Sequence, residues 1–100
     1  MYVEITSTQQ ATVHDLDNLD ELRVRTHGAS RDDTDAALVA ANLGSVAADH
    51  AWLAVTALRA AGADRGDAWE KEFSTMLDHA GTRGWLSEDH LLVRAHLDED

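Results

Sequence analysis

The clearest hydrophobic pattern in the chain runs from Asp67 to Gly81. Trp69, Phe73, Met76, Leu77 and Ala80 recur at i, i+4, i+7, i+8 and i+11, which at helical pitch places them on one apolar stripe about 100° wide. Glu70, Lys71, Ser74 and Asp78 point elsewhere. Asp67 stands where an N-cap is needed, with Glu70 three residues on as a capping-box partner, and Gly81 follows the last apolar position. Start, face and stop agree on a helix.

Two stretches alternate with period two instead. In residues 22–27, Leu22, Val24 and Thr26 face one way and Arg23, Arg25 and His27 the other, with Gly28 as the stop. In residues 90–97, Leu91, Val93, Ala95 and Leu97 oppose His90, Leu92, Arg94 and His96. Both predict half-buried strands, with a short terminal helix as the alternative for the second. The shared pattern Val-Arg-x-His is too short to be a repeat. Ser30 and Asp33 form a capping box for a helix over residues 31–43, stopped by Gly44. Residues 50–55 read as a strand running into a short helix that ends at Gly62; one long Ala-rich helix over residues 45–62 is the alternative. Residues 2–6 suggest a short edge strand. Residues 7–14 read as a polar, mobile arm, residues 14–21 as one helical turn carrying Leu16 and Leu19, and residues 98–100 as an acidic tail. The fold class is α+β: a small, mainly antiparallel sheet covered on one face by two to three helices, with an all-α bundle as the alternative.

Composition narrows the functional classes. One hundred residues, 44% hydrophobic and 27% charged, describe one folded domain rather than a disordered chain. The absence of Cys excludes disulfides, thiolate chemistry and Cys-ligated zinc. No apolar run approaches the roughly 20 residues of a membrane span. No basic segment followed by an apolar core opens the chain, so a cytoplasmic protein without a membrane partner is expected. Nineteen acidic residues against eight basic ones give a net charge of −11, which repels nucleic acid and anionic lipid. Protonating the six His would roughly halve that charge, so solubility and self-association are expected to respond to mildly acidic pH.

Motif chemistry is sparse. His-Glu-x-x-His and Glu-x-x-His spacings are absent. Asp49-His50, Asp78-His79 and Asp89-His90 are sequence neighbours, which share no face of a helix or strand. No metal and no cofactor are therefore expected. Neither a Gly-x-Ser-x-Gly elbow nor a phosphate-binding glycine pattern occurs, so no catalytic residue is assigned.

The constellation that stands out is cationic. If the two alternating segments share a sheet, Arg23, Arg25, His27, His90, Arg94 and His96 lie on its polar side. Arg is suited to gripping carboxylate or phosphate through paired donors. The plainer reading is a solvated sheet face neutralised by nearby Asp and Glu. Among the three Trp, Trp69 is a core anchor. Trp85, after the glycine-bounded turn of residues 81–84, is the candidate partner contact. The function this supports is a small acidic accessory or protein-interaction module whose partner is another protein or a second copy, with a small anionic ligand on the Arg/His face. The rival is a small enzyme, or enzyme subunit, that holds an anionic substrate there and uses a His as acid or base.

Overall fold

The alternating segments become neighbouring strands of one six-stranded sheet in the structure, a computed structural model that describes residues 1–6, 8–19 and 21–98. The strands are β1 (Tyr2–Ile5), β2 (Ala11–His14), β3 (Arg23–Arg25), β4 (Gly44–Ala47), β5 (His50–Ala54) and β6 (Leu92–Asp98), in the order β2-β1-β3-β6-β5-β4. The β1–β2, β4–β5 and β5–β6 pairs are antiparallel; β1–β3 and β3–β6 are parallel. Helix α1 (Arg31–Ala40) connects β3 to β4. Helix α2 (Val55–Ala61), a 3-10 turn (Ala63–Arg65) and helix α3 (Asp67–Thr82) connect β5 to β6. The fold is α+β, with the strand-then-helix reading correct for residues 50–61.

Alternate strand residues supply the floor of the core. Val3, Ile5, Val24, Leu53, Val93 and Leu97 join Leu38 of α1, Leu58 of α2 and Trp69 and Phe73 of α3 in one buried cluster. The helices therefore cover one face of the sheet. Trp69 and Phe73 stack with ring centroids 5.0 Å apart, so the heart of α3 buries the face its spacing predicts. Met76 and Leu77 are only half-buried.

Helix ends differ from their sequence signals. Asp67 is the first helical residue, not the cap; Gly66, at φ 94°, holds the cap position without a side-chain hydrogen bond. Glu70 turns instead to Arg59, 2.7 Å away. α3 runs through Gly81 to Thr82, and the left-handed residue is Gly84, at φ 77°. In α1, Ser30 Oγ accepts from Asp33 N (3.1 Å), as the capping box predicts. The helix stops at Ala40 because Asn42 takes φ 57° and Leu43 N returns to Leu38 O (2.9 Å). The residues so released form β4, which the hydrophobic pattern did not reveal. Gly44 is needed there: a Cβ on it would fall 2.0 Å from Trp52 O.

Four further expectations are corrected. Residues 11–14 of the expected arm are strand β2, paired along β1; Ser7 lies outside the described residues. β1 is consequently an interior strand, not an edge. Residues 14–19 form no helical turn: His14 ends β2, Asn18 N closes a tight turn on Asp15 O (3.1 Å), and Leu16 and Leu19 pack on the core from an irregular connection, while Asp20 lies outside the described residues. Asp98 belongs to β6, where it faces Arg25, rather than to a solvated tail; Glu99 and Asp100 lie outside the described residues.

Candidate functional site

Side chains that alternate with the core residues point to the opposite face of the sheet, which no helix covers among the described residues. The register arranges them in rows. Arg23 stands beside His96, which faces His50 on β5. Tyr2 and His14 continue that row on β1 and β2. A second row sets Arg25 between Glu4 and Asp98. A third places Arg94 opposite Trp52.

Four of the residues picked out by the alternation, Arg23, Arg25, Arg94 and His96, thus come together on one face. His27 follows β3 at φ 49° and lies at the rim, its Nε2 3.3 Å from Glu4 Oε2. His90 does not join them. It occupies a turn at φ 60°, its N donating to Ser87 O (2.9 Å), and β6 begins two residues later. Tyr2, His14, His50 and Trp52 were not anticipated on this face. The signal for the last two was the alternation of His50 and Trp52 with the buried Ala51 and Leu53.

The charges on the face are unequally neutralised. Arg23 pairs with Glu21 and, at 3.5 Å, with Asp98. The Arg25 guanidinium lies 4.1 Å above the Tyr2 ring, which also stacks on His14. His50 Nδ1 is 3.2 Å from Asp49 Oδ1, and its ring meets the Trp52 ring edge-on at 5.5 Å. The Asp49 carboxyl is held below its ordinary pKa, first by the His50 hydrogen bond and then by its own backbone amide, with a smaller contribution from the Arg94 charge. The side chains of Arg94 and His96 are exposed and make no hydrogen bond or ion pair among the described residues.

A groove of about 1310 Å³ joins this cluster to the Trp85 region. It is lined on the sheet side by Arg23, His50, Arg94 and His96, and on the helix side by Met76, Ala80 and Trp85. It exists because β6 is shared along one edge. Arg94 N donates to Trp85 O (2.7 Å) while His96 N donates to Leu22 O (3.2 Å), so the two neighbouring segments diverge between them. Trp85 is 40% exposed, with the Arg83 guanidinium 5.2 Å from its ring. Asp17, Glu21, Asp49 and Glu72 also line the groove, Glu21 paired with Arg23 and Asp49 close enough to feel the Arg94 charge.

The titratable side chains of the face fall into separate pairs. His50 with Asp49, His27 with Glu4, and Thr12 Oγ1 with His14 Nε2 (2.8 Å) are separate pairs. Among the described residues, no hydroxyl, His and orienting carboxylate converge in the way nucleophilic catalysis requires. No group of three His or carboxylate side chains able to hold a metal ion occurs among them either. No described helix is long and apolar enough to cross a membrane. No protein-family model matches the chain, and neither a curated protein nor a solved structure matches it.

Proposed function

We propose that this protein is a binding module that docks an extended acidic segment of a partner protein across the uncovered sheet face. The observation that carries this reading is the pair Arg94 and His96, exposed and without side-chain partners among the described residues, in a groove that also offers Trp85 and Met76. A carboxylate near Arg94 gains charge-assisted, paired hydrogen bonds, and an apolar neighbour fills the space against Trp85, the type of residue that anchors interfaces. The groove exceeds the roughly 300–1,000 Å³ of a small-molecule pocket, which favours a polypeptide over a compact substrate. The net charge of −11 opposes long-range approach of an acidic partner, so recognition rests on these local contacts.

The test is an NMR titration of isotopically labelled protein with a peptide of alternating Glu and Leu. Amide shifts confined to β3, β5, β6 and the Trp85 segment are expected, with loss of binding in Arg94→Ala/His96→Ala. Both side chains are exposed, so that variant keeps its fold. A parent that shows no shifts, or a double variant that binds equally well, overturns the reading.

A further inference from the structure

The two edges of the sheet are treated differently. At β4, the edge is guarded: Asp35 of α1 accepts from Val46 N through Oδ1 at 2.8 Å, so the outward amide is capped by a side chain. At β2, no such guard exists among the described residues. Thr6 N donates to Gln10 O at 2.9 Å, and antiparallel ladders alternate between bonded and non-bonded pairs. Thr12 and His14 therefore bond inward to β1, while Ala11 and Val13 aim their amides and carbonyls away from the sheet. Natural edge strands are commonly protected by charges, proline or a covering element. The hairpin from Ile5 to Val13 contains no charged residue and no proline, in a chain that is 27% charged.

We infer that β2 is a homotypic pairing edge, at which a second copy of this chain adds its own β2 antiparallel to extend the sheet. This surface is distinct from the proposed docking face. The outward groups are self-complementary about Thr12. Ala11 of one copy exchanges both backbone hydrogen bonds with Val13 of the other, and the reverse, around a central Thr12–Thr12 pair. The same register sets Ala11 against Val13 on the helix side, where both already pack against the core. Thr meets Thr on the open side, a favourable cross-strand pair. The absence of charge along this edge is what lets two copies of net charge −11 approach here. The ladder is bounded, because Gln9 and Asp15 both take positive φ, 61° and 55°, and turn the chain away. Such a short ladder gives a reversible, concentration-dependent dimer rather than an obligate one.

Sedimentation velocity from dilute to near-millimolar protein tests this. The parent should show a monomer–dimer equilibrium. Ala11→Pro removes an outward amide without touching the β1 ladder, as edge strands tolerate, and should raise the dimer dissociation constant about tenfold or more. Thr12→Lys, at an exposed position, sets two like charges face to face and should weaken the dimer in the same direction. Arg94→Ala/His96→Ala should leave it unchanged, which separates this inference from the docking reading. A parent that stays monomeric throughout, or a dimer indifferent to both β2 variants, overturns the pairing edge; a shared loss in the Arg94/His96 variant moves the interface to the open face and overturns it equally.

Discussion

Trp69 and Leu16 are tied across 53 positions of sequence by a 2.7 Å hydrogen bond from the indole Nε1 to the main-chain carbonyl. Arg65 and Asp17 make a second tie beside it, at 2.6 Å. Together they fasten the β2–β3 connection to the start of α3, and that connection supplies Leu19 and Leu22 to the wall of the groove.

Trp69→Phe should keep most of the buried area but leave the Leu16 carbonyl without its donor. A cost of about 1–2 kcal/mol in denaturant unfolding is expected, with faster amide exchange in residues 16–19. Phe73→Ala, at a fully buried site stacked on the same ring, should cost about 3–5 kcal/mol. Equal midpoints for the two variants would place the indole bond among the major contributors and contradict this ordering.

Two glycines should lose stability on substitution by alanine for different reasons. A Cβ on Gly62 would lie 2.3 Å from the Trp69 ring, and that ring is buried and stacked, so it cannot yield cheaply. Overpacking of this kind costs about 1–3 kcal/mol. Gly28 has open space around its Cβ position but sits at φ 85°, so Gly28→Ala should carry only the left-handed backbone penalty of about 1–2 kcal/mol. Adding a Trp69→Phe change should relieve Gly62→Ala and leave Gly28→Ala untouched. Thermal unfolding of the single and double variants reads this coupling directly.

The parts of the fold that could be read from sequence are those where one face is wet and the other dry. Arg23, Arg25, Arg94 and His96 alternate cleanly with buried Val24, Val93 and Ala95 because no helix covers their side among the described residues. The α3 stripe is legible for the same reason, as Trp69 and Phe73 are large. β4 was hidden because Gly44, Ser45, Val46 and Ala47 are small and all half-buried, so no period survives. β2 was hidden because only Ala11 and Val13 contribute apolar inward positions. His90 was misplaced because Leu91 prolongs the alternation into a turn held by Ser87 and Asp89, where the backbone leaves the strand. The parallel pairing of β3 with β6 has no local signal at all; it follows from the helical crossovers between them. Candidate chemistry was legible only as far as strand polarity was. Whether Arg94 has a partner depends on contacts between distant segments.

The turn before β6 gives a pH prediction. Asp89 accepts from Ser87 Oγ (2.5 Å) and from Leu91 N (3.0 Å) through one carboxylate oxygen, and Ser87 Oγ in turn accepts from Leu92 N (3.1 Å). These bonds favour the ionised carboxylate, and the Asp89 pKa is lowered, chiefly by the Ser87 hydrogen bond and then by the Leu91 amide. A folded-state value below the unfolded one means that the unfolded chain binds a proton more readily. The stabilisation is therefore fully present above about pH 4, the ordinary Asp value, and is lost as pH falls through the depressed native value. Asp89→Asn should remove this contribution and flatten the acid limb of a stability–pH profile, with little effect on its slope near neutrality. Urea unfolding of parent and variant across the acidic range is the measurement. An acid limb of equal steepness in both would show that the turn does not sense this carboxylate. Because His90 and Leu91 lie in the same turn, its loosening should also reach Val55, whose amide donates to Leu91 O at 2.9 Å, and faster exchange at Val55 in the variant gives an independent reading.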